Sequence, residues 1–279
     1  MPNEFLIDTK LVSINPDVVG MKTDKSSCVN QPQSGVHGDC LTQKMIHPHT
    51  FAKTRKLLDQ AIVSAWHTVK SDRRPPTLTP TRWVWRLAGF YHLCHSTPQL
   101  MEEARSRFAL ANRQTLAQWA AQKAQEEAGH DILALRDIRS MGYRAESVVE
   151  VLFPPAAKTL VDCFTRCVQD SDPIDCVGYS YTAERLGTCI GEAYIHKVEA
   201  LLPAGINATR CLRIHSAISP TEVNHVQETV TMIAGLTPQE RDRVVKACYQ
   251  AALLRFSPPQ EAYISDEEIE NLLKPLILA

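Results

Sequence analysis

Apolar residues recur every three or four positions from about His47 onward, and prolines and glycines cut that pattern into helix-length pieces. Phe51, Leu57, Leu58, Ile62 and Trp66 make a first stripe, ended by Arg73-Arg74-Pro75-Pro76. Thr79 or Thr81 starts a second, carrying Trp83, Trp85, Leu87, Phe90 and Leu93. Thr97-Pro98 reads as a further helix start, because proline suits the first helical position. The clearest helix runs from about Gln114 to Met141, with Leu116, Trp119, Ala120, Ala124, Ile132, Leu135 and Ile138 on one face and Gly142 as its stop. Pro154-Pro155 opens another. Pro173 begins a long one reaching Leu202, and about Ala208–Ala234 form one that Pro220 kinks or interrupts. Thr237-Pro238-Gln239-Glu240 is a capping-box pattern, and Ser265-Asp266-Glu267-Glu268 caps a last short helix. No stretch alternates with the strand period. Helices with one apolar face must bury it on other helices, so the chain is expected to be an all-α bundle.

Charge and composition narrow the function classes. The 30 Lys+Arg nearly balance the 31 Asp+Glu, which excludes the overall basic footprint of a general nucleic-acid binder. No run of about 18 apolar residues exists, so no membrane span is expected. The opening MPNEFLIDTK lacks a basic stretch followed by an apolar one, so the expectation is a cytoplasmic protein. The nine cysteines are odd in number, scattered and without a Cys-x-x-Cys pair, as expected of reduced, mostly buried thiols. Residues 1–45 are polar and turn-rich and read as a flexible or wrapping arm; residues 46–279 read as the helical domain.

Two places share one chemical pattern. Glu127-Ala128-Gly129-His130 lies inside the 114–141 segment, and Glu222-Val223-Asn224-His225 follows Pro220. Glutamate and histidine three apart on a helix project from one face and can offer an oxygen and a nitrogen to the same ion. Facing Glu-x-x-His helices with single glutamates from other helices are how di-iron bundles build their centres. Glu184, among Tyr181, Leu186 and Ile190, is the best further donor, since a metal would compensate a buried carboxylate. Glu192 and Glu199 are weaker candidates. Asp137, two turns after His130, fits a residue that orients a ligand or a surface ion pair. His92 and His95 could be ligands or hydrogen-bonded core histidines. Carboxylates and imidazoles without thiolate suit iron or manganese better than zinc or copper(I).

Those residues resemble the heme-oxygenase-like diiron oxidases and oxygenases. The resemblance rests on Ala124 to His130 and Asp137, on Gly178 to Glu184, and on Glu222 to Val226. The order matches as well: Glu–His, about 50–55 residues to a lone Glu, then about 40 to an acid–His pair. It covers about residues 48–256. It implies a bundle of about seven core helices, with Glu127, His130, Glu184, Glu222 and His225 holding two iron ions. Two departures stand out. The family's first histidine on the last core helix falls at Ile218, with His215 a turn earlier as a substitute, and an acid seven residues before His130 is replaced by Lys123. The second ion is therefore expected to be weakly held, or absent.

The resemblance further implies an O2-dependent enzyme acting on a small metabolite, by N-oxygenation of an amine or by oxidative C–C cleavage of an amino or fatty acid. An external electron donor is a possible partner, and a homodimer is expected. Arg185, Arg213 and Tyr181 are the leading substrate anchors, with Arg210, Lys197, Tyr179 and Tyr194 behind them. Two other readings stand beside this one. One is a cofactorless enzyme of the same fold, thiaminase-like or quinone-biosynthesis-like, using these acids and histidines for proton transfer. The other is a non-enzymatic helical partner protein. A haem enzyme is not expected: His67 is the histidine set well into the first helix, and no Gly-rich distal segment accompanies it.

Overall fold

The computed structural model describes residues 48–69 and 76–278. The expected N-terminal arm and the Arg73-Arg74-Pro75 break lie outside the described residues. The helices are α1 (Pro48–Thr68), α2 (Pro80–Leu110), α3 (Gln114–Glu127), α4 (His130–Ser140), α5 (Ala145–Val151), α6 (Pro155–Gln169), α7 (Asp175–Gly187), α8 (Glu192–Glu199), α9 (Arg210–Ile214), α10 (Pro220–Ala234), α11 (Pro238–Phe256) and α12 (Asp266–Leu273). Among the described residues there is no strand, only an isolated bridge between Tyr143 and Ile277. No described helix is long and apolar enough to cross a membrane.

Most residues of the stripes read from sequence lie on packed faces, but Leu57 and Ile132 are exposed. Helix α2 lies along α3, α4 and α6, while α7 lies along α11, α10 and α6, and α1 closes the bundle against α11 and α10. The larger core joins Leu58 and Ile62 of α1, Met101 and Phe108 of α2, Trp119 of α3, Phe164 of α6, Tyr181 of α7 and Val230 of α10. A second core surrounds Trp83 and Leu87 of α2, with Ile138, Val148, Ile195, Leu212 and Ile269. Capping boxes form at Thr237 and Ser265 as their sequences require. The seven described cysteines are free thiols.

Three expectations are corrected. Thr97-Pro98 starts no helix: it lies inside the 31-residue α2. The Ser96 and Thr97 hydroxyls donate to the carbonyls of His92 and Leu93, which binds the turn that the proline weakens. The 114–141 segment is two helices, because Gly129 takes a left-handed φ of 85° that ends α3 and restarts the chain as α4. The helix expected to reach Leu202 stops at Gly187 and resumes at Glu192, where Thr188 and Cys189 side chains both turn back to the Arg185 carbonyl. The 208–234 segment is interrupted at Pro220, as its sequence leads one to expect, and Pro220 is the first residue of α10. In addition, α5 was not anticipated.

The approach of α7 to α11 is the closest in the bundle's described contacts of glycine. A Cβ on Gly178 would stand 2.3 Å from the Val244 carbonyl oxygen and 2.8 Å from Ala247 Cβ. Gly178→Ala should therefore cost about 1–3 kcal/mol or more through overpacking. Gly142→Ala, with φ 86° and no atom within 4 Å of the added Cβ, should cost only the local backbone strain of about 1–2 kcal/mol. Urea denaturation of both variants checks the order. Equal costs would mean that the α7–α11 contact yields easily.

Candidate metal centre

Backbone breaks, more than helix faces, assemble the site. Glu127 ends α3 and His130 begins α4, on either side of the Gly129 turn. Glu127 Oε2 and His130 Nδ1 are hydrogen-bonded at 3.0 Å. His215 enters from the connection between α9 and α10, its ring edge-on to His130 with centroids 4.8 Å apart. Glu127, His130 and His215 each place a donor atom within 4.8 Å of the others. The substitute histidine considered from sequence is thus beside the first Glu-x-x-His motif.

Gly187 makes that placement possible. A Cβ there would lie 2.4 Å from the His215 carbonyl oxygen and 3.5 Å from Glu222 Oε1. The His215 loop can rest on the end of α7 only because position 187 has no side chain. Asp137, fully buried, fixes the other end of this segment. It accepts from the Cys211 backbone N–H and from Arg210, both at 2.9 Å, and so anchors the start of α9 to α4. Asp137 orients the segment carrying a donor rather than a donor ring itself.

The second motif stands next to the first. Ser219 caps α10 by accepting from the Glu222 N–H, which places the Glu222 carboxylate in the first turn, where the helix dipole favours its charge. Glu222 Oε2 is 4.0 Å from His215 Nδ1 and 3.7 Å from His225 Nδ1. His225 Nε2 lies 3.3 Å from Glu126 Oε1. His225 Nδ1 is buried and has no hydrogen-bond partner.

Glu184 is also inside, but its charge is answered by protein. Lys123 Nζ stands 2.9 Å from Glu184 Oε1 and 2.9 Å from Glu126 Oε2, and the lysine is 2% exposed. Thr229 links Glu184 to Trp119 through bonds of 3.5 and 3.2 Å. Burial pushes the Glu184 carboxyl up to about 7, with Lys123 pulling the other way and Glu222 and Glu127 adding to the rise. Burial opposes the Lys123 ammonium too, yet Glu184 and Glu126 outweigh it and hold the group above its ordinary value. Burial also opposes the Glu127 carboxylate, but His130, His215 and Lys123 together keep it below the usual range. Sequence reasoning noticed Lys123 only as a departure from a family pattern. Its spacing from Leu116, Ala120 and Glu127 puts it on the inward stripe of α3, a signal that was there to be read.

Other sequence candidates are engaged elsewhere. His92 Nε2 is 2.8 Å from the Leu152 carbonyl, with its ring stacked on Phe153 at 3.9 Å. His95 pairs with Asp131 at 2.8 Å and stacks on Tyr91. Tyr181 donates to Asp59 at 2.8 Å, and Arg185 donates to the same carboxylate at 2.8 Å. That trio ties α7 to α1, so these two side chains are structural partners rather than open substrate anchors. Arg213 pairs with Glu199 at 2.7 Å and with Glu192 at 3.5 Å.

Glu127, His130 and His215 together are a candidate donor set for one ion. Lys123 pairs with Glu126 and Glu184, while Glu127 stands against His130 and Glu222 against His215 and His225. Two donors at right angles on an ion about 2.1 Å away stand about 3.0 Å apart, the separation seen between Glu127 and His130. Two imidazoles and one carboxylate with free positions beside them are the ligand set of non-haem Fe(II) oxygenases. A second ion is less well provided for. Glu222 and the unpartnered His225 Nδ1 face each other, but Lys123 already holds the Glu184 oxygen that such an ion would need.

No protein-family model matches the sequence, and no curated protein matches it. Solved structures do. A domain of unknown function with a heme oxygenase-like fold from Shewanella denitrificans OS217 is similar over 80% of this chain and 90% of its own, with TM-score 0.51 and 20% identity. A TenA homolog from Pseudomonas syringae pv. tomato str. DC3000 is similar over 74% of this chain and 89% of its own, with TM-score 0.54 and 10% identity. The chain has the heme-oxygenase-like helical fold.

The Lys123–Glu184 pair can be tested apart from any metal. Lys123→Met strands a buried carboxylate and should cost about 3–5 kcal/mol, whereas Lys123→Met with Glu184→Leu should recover most of that loss. Denaturation of the metal-free proteins reads both values. A double variant no more stable than the single one would mean that the pair is not the source of the cost.

Proposed function

We propose that this protein is an O2-dependent non-haem iron oxidase or oxygenase acting on a small metabolite. The observation that carries the reading is the convergence of Glu127, His130 and His215 from three segments into one donor cluster. In this reading one iron ion is held firmly by those three residues. A second is held weakly by Glu222 and His225, because Lys123 neutralises Glu184. Manganese is the alternative ion for the same donors.

A reduced iron ion bound there would supply the O2 chemistry that no side chain provides. The chain's own part is binding, orientation and charge. Glu127 and His130 hold their geometry through a mutual hydrogen bond before any ion arrives. Asp137 and Gly187 fix the backbone that presents His215. Lys123 carries its ammonium within 2.9 Å of two carboxylates and so offsets part of the negative charge on the inner side of the cluster. Buried Trp119, Tyr181 and Val230 exclude water from the bundle beneath the donors. N-oxygenation of an amine and oxidative C–C cleavage of an amino or fatty acid are the reactions this reading covers. It takes O2, the substrate and an electron donor as partners, and a homodimer as the assembly.

One observation favours a second reading, a cofactor-free acid–base enzyme of the same fold, thiaminase-like or quinone-biosynthesis-like. Glu184 sits near 7 beside a buried lysine, which are the protonation properties such chemistry requires. Structural likeness to a TenA homolog is compatible with it.

Anaerobic Fe(II) titration followed by O2 exposure decides between them. The expected result is one tight and one weak ion per chain, with a transient visible absorption whose decay a substrate from an amino-acid, aryl-amine and fatty-acid panel accelerates. His215→Ala should abolish the tight phase and lower turnover at least a hundredfold. Lys123→Met, by freeing Glu184, should tighten the weak phase. An absence of tight iron binding, with turnover unaffected by chelator, would overturn the oxidase reading in favour of the acid–base one.

A further inference from the structure

His215 also belongs to a second group of donors, on the side away from the carboxylates. Cys94 of α2, Cys211 of α9 and His215 place one donor atom each within 4.8 Å of one another. His215 turns Nε2 to Cys94 Sγ at 3.6 Å and Nδ1 to Glu222. On a tetrahedral ion with metal–sulfur near 2.3 Å and metal–nitrogen near 2.05 Å, sulfur and nitrogen stand about 3.6 Å apart. Both cysteines are free, with Cys211 1% and Cys94 7% exposed.

We propose that Cys94, Cys211 and His215 form a binding site for a thiophilic divalent cation of the zinc class. Two thiolates cancel the charge of a dication, so the assembled site is neutral and its burial costs little compared with that of a bare ion. Binding converts two thiols to thiolates, and their two protons leave to solvent. The frame exists beforehand. Cys94 sits in the long α2, packed with Phe90, Tyr91 and Ala134. Cys211 is fixed through its own backbone N–H by buried Asp137, the kind of outer support that metal ligands require. The three protein donors leave a fourth tetrahedral position open.

The site is chemically distinct from the Glu127 cluster. Sulfur donors select borderline and soft ions, while the carboxylate side selects hard ones. The two share the His215 ring, so occupancy on the sulfur side bears on the geometry of the carboxylate side.

Cobalt(II) is the probe, because thiolate ligation gives it a charge-transfer absorption that oxygen and nitrogen ligands do not. Reduced, metal-free protein titrated with Co(II) should develop this band together with intense tetrahedral ligand-field absorption, saturating at one equivalent and reversed by Zn(II). Cys94→Ser and Cys211→Ser should each abolish the band, while Cys163→Ser should leave it. Glu127→Gln removes the iron site of the proposed function and should leave the band intact, so each reading can fail alone. A second measurement needs no variant: Zn(II) should slow alkylation of Cys94 and Cys211 at least tenfold, mapped by mass spectrometry, without protecting Cys163. No thiolate band in the wild-type protein, or one that survives both serine variants, would overturn the proposal, as would Zn(II) failing to protect the two thiols.

Discussion

A buried ammonium against a buried carboxylate is the constraint around which this bundle is arranged. Lys123 is held at 2.9 Å from Glu184 and at the same distance from Glu126. Taking two ions out of water is repaid only by close geometry and by further hydrogen bonds. The protein supplies those through Thr229 and Trp119, which lock α3, α7 and α10 into one register. The same pair offsets part of the negative charge beside the donor cluster. In the proposed reading, the carboxylate already neutralised by Lys123 is the reason that one dication would be held firmly and a second weakly.

Around that pair, function is built at points where regular structure stops. The left-handed Gly129 turns the chain between Glu127 and His130, and Gly187 admits the His215 backbone onto the end of α7. Pro220 begins α10 so that Glu222 falls in its first turn. Glu127, His130, His215 and Glu222 therefore sit at helix termini or in a connection, with helices behind them as rigid support. Asp137 joins the two sides, since it pins the segment that presents both Cys211 and His215.

Much of this could be read from the chain. The 3.6-residue stripes read on α1, α2 and α3 predict faces that for the most part pack, and the capping boxes at Thr237 and Ser265 form where their residues stand. The local breaks were less legible. A glycine in a periodic run, such as Gly129, is tolerated in a helix as often as it ends one, and only tertiary contacts decide. Pro98 shows the converse: start chemistry was overridden because Ser96 and Thr97 satisfy neighbouring carbonyls and α2 is buried on both sides of it, at Cys94 and at Met101. At the site, the two Glu-x-x-His pairs were visible through their spacing. The role of Lys123 was not, because it is set by Glu184, which lies 61 residues away in the chain and 2.9 Å away in space. Arg185 and Tyr181 looked like pocket residues for the same reason. Their partner, Asp59, is on a distant helix.

Anomalous diffraction at the iron edge, from crystals grown without oxygen in excess Fe(II), tests the central claim most directly. The account predicts one dominant peak enclosed by Glu127, His130 and His215, a weaker one between Glu222 and His225, and Glu184 still bonded to Lys123. Two peaks of equal height with Glu184 bridging them and Lys123 swung aside would contradict it, as would the absence of iron from the Glu127 cluster.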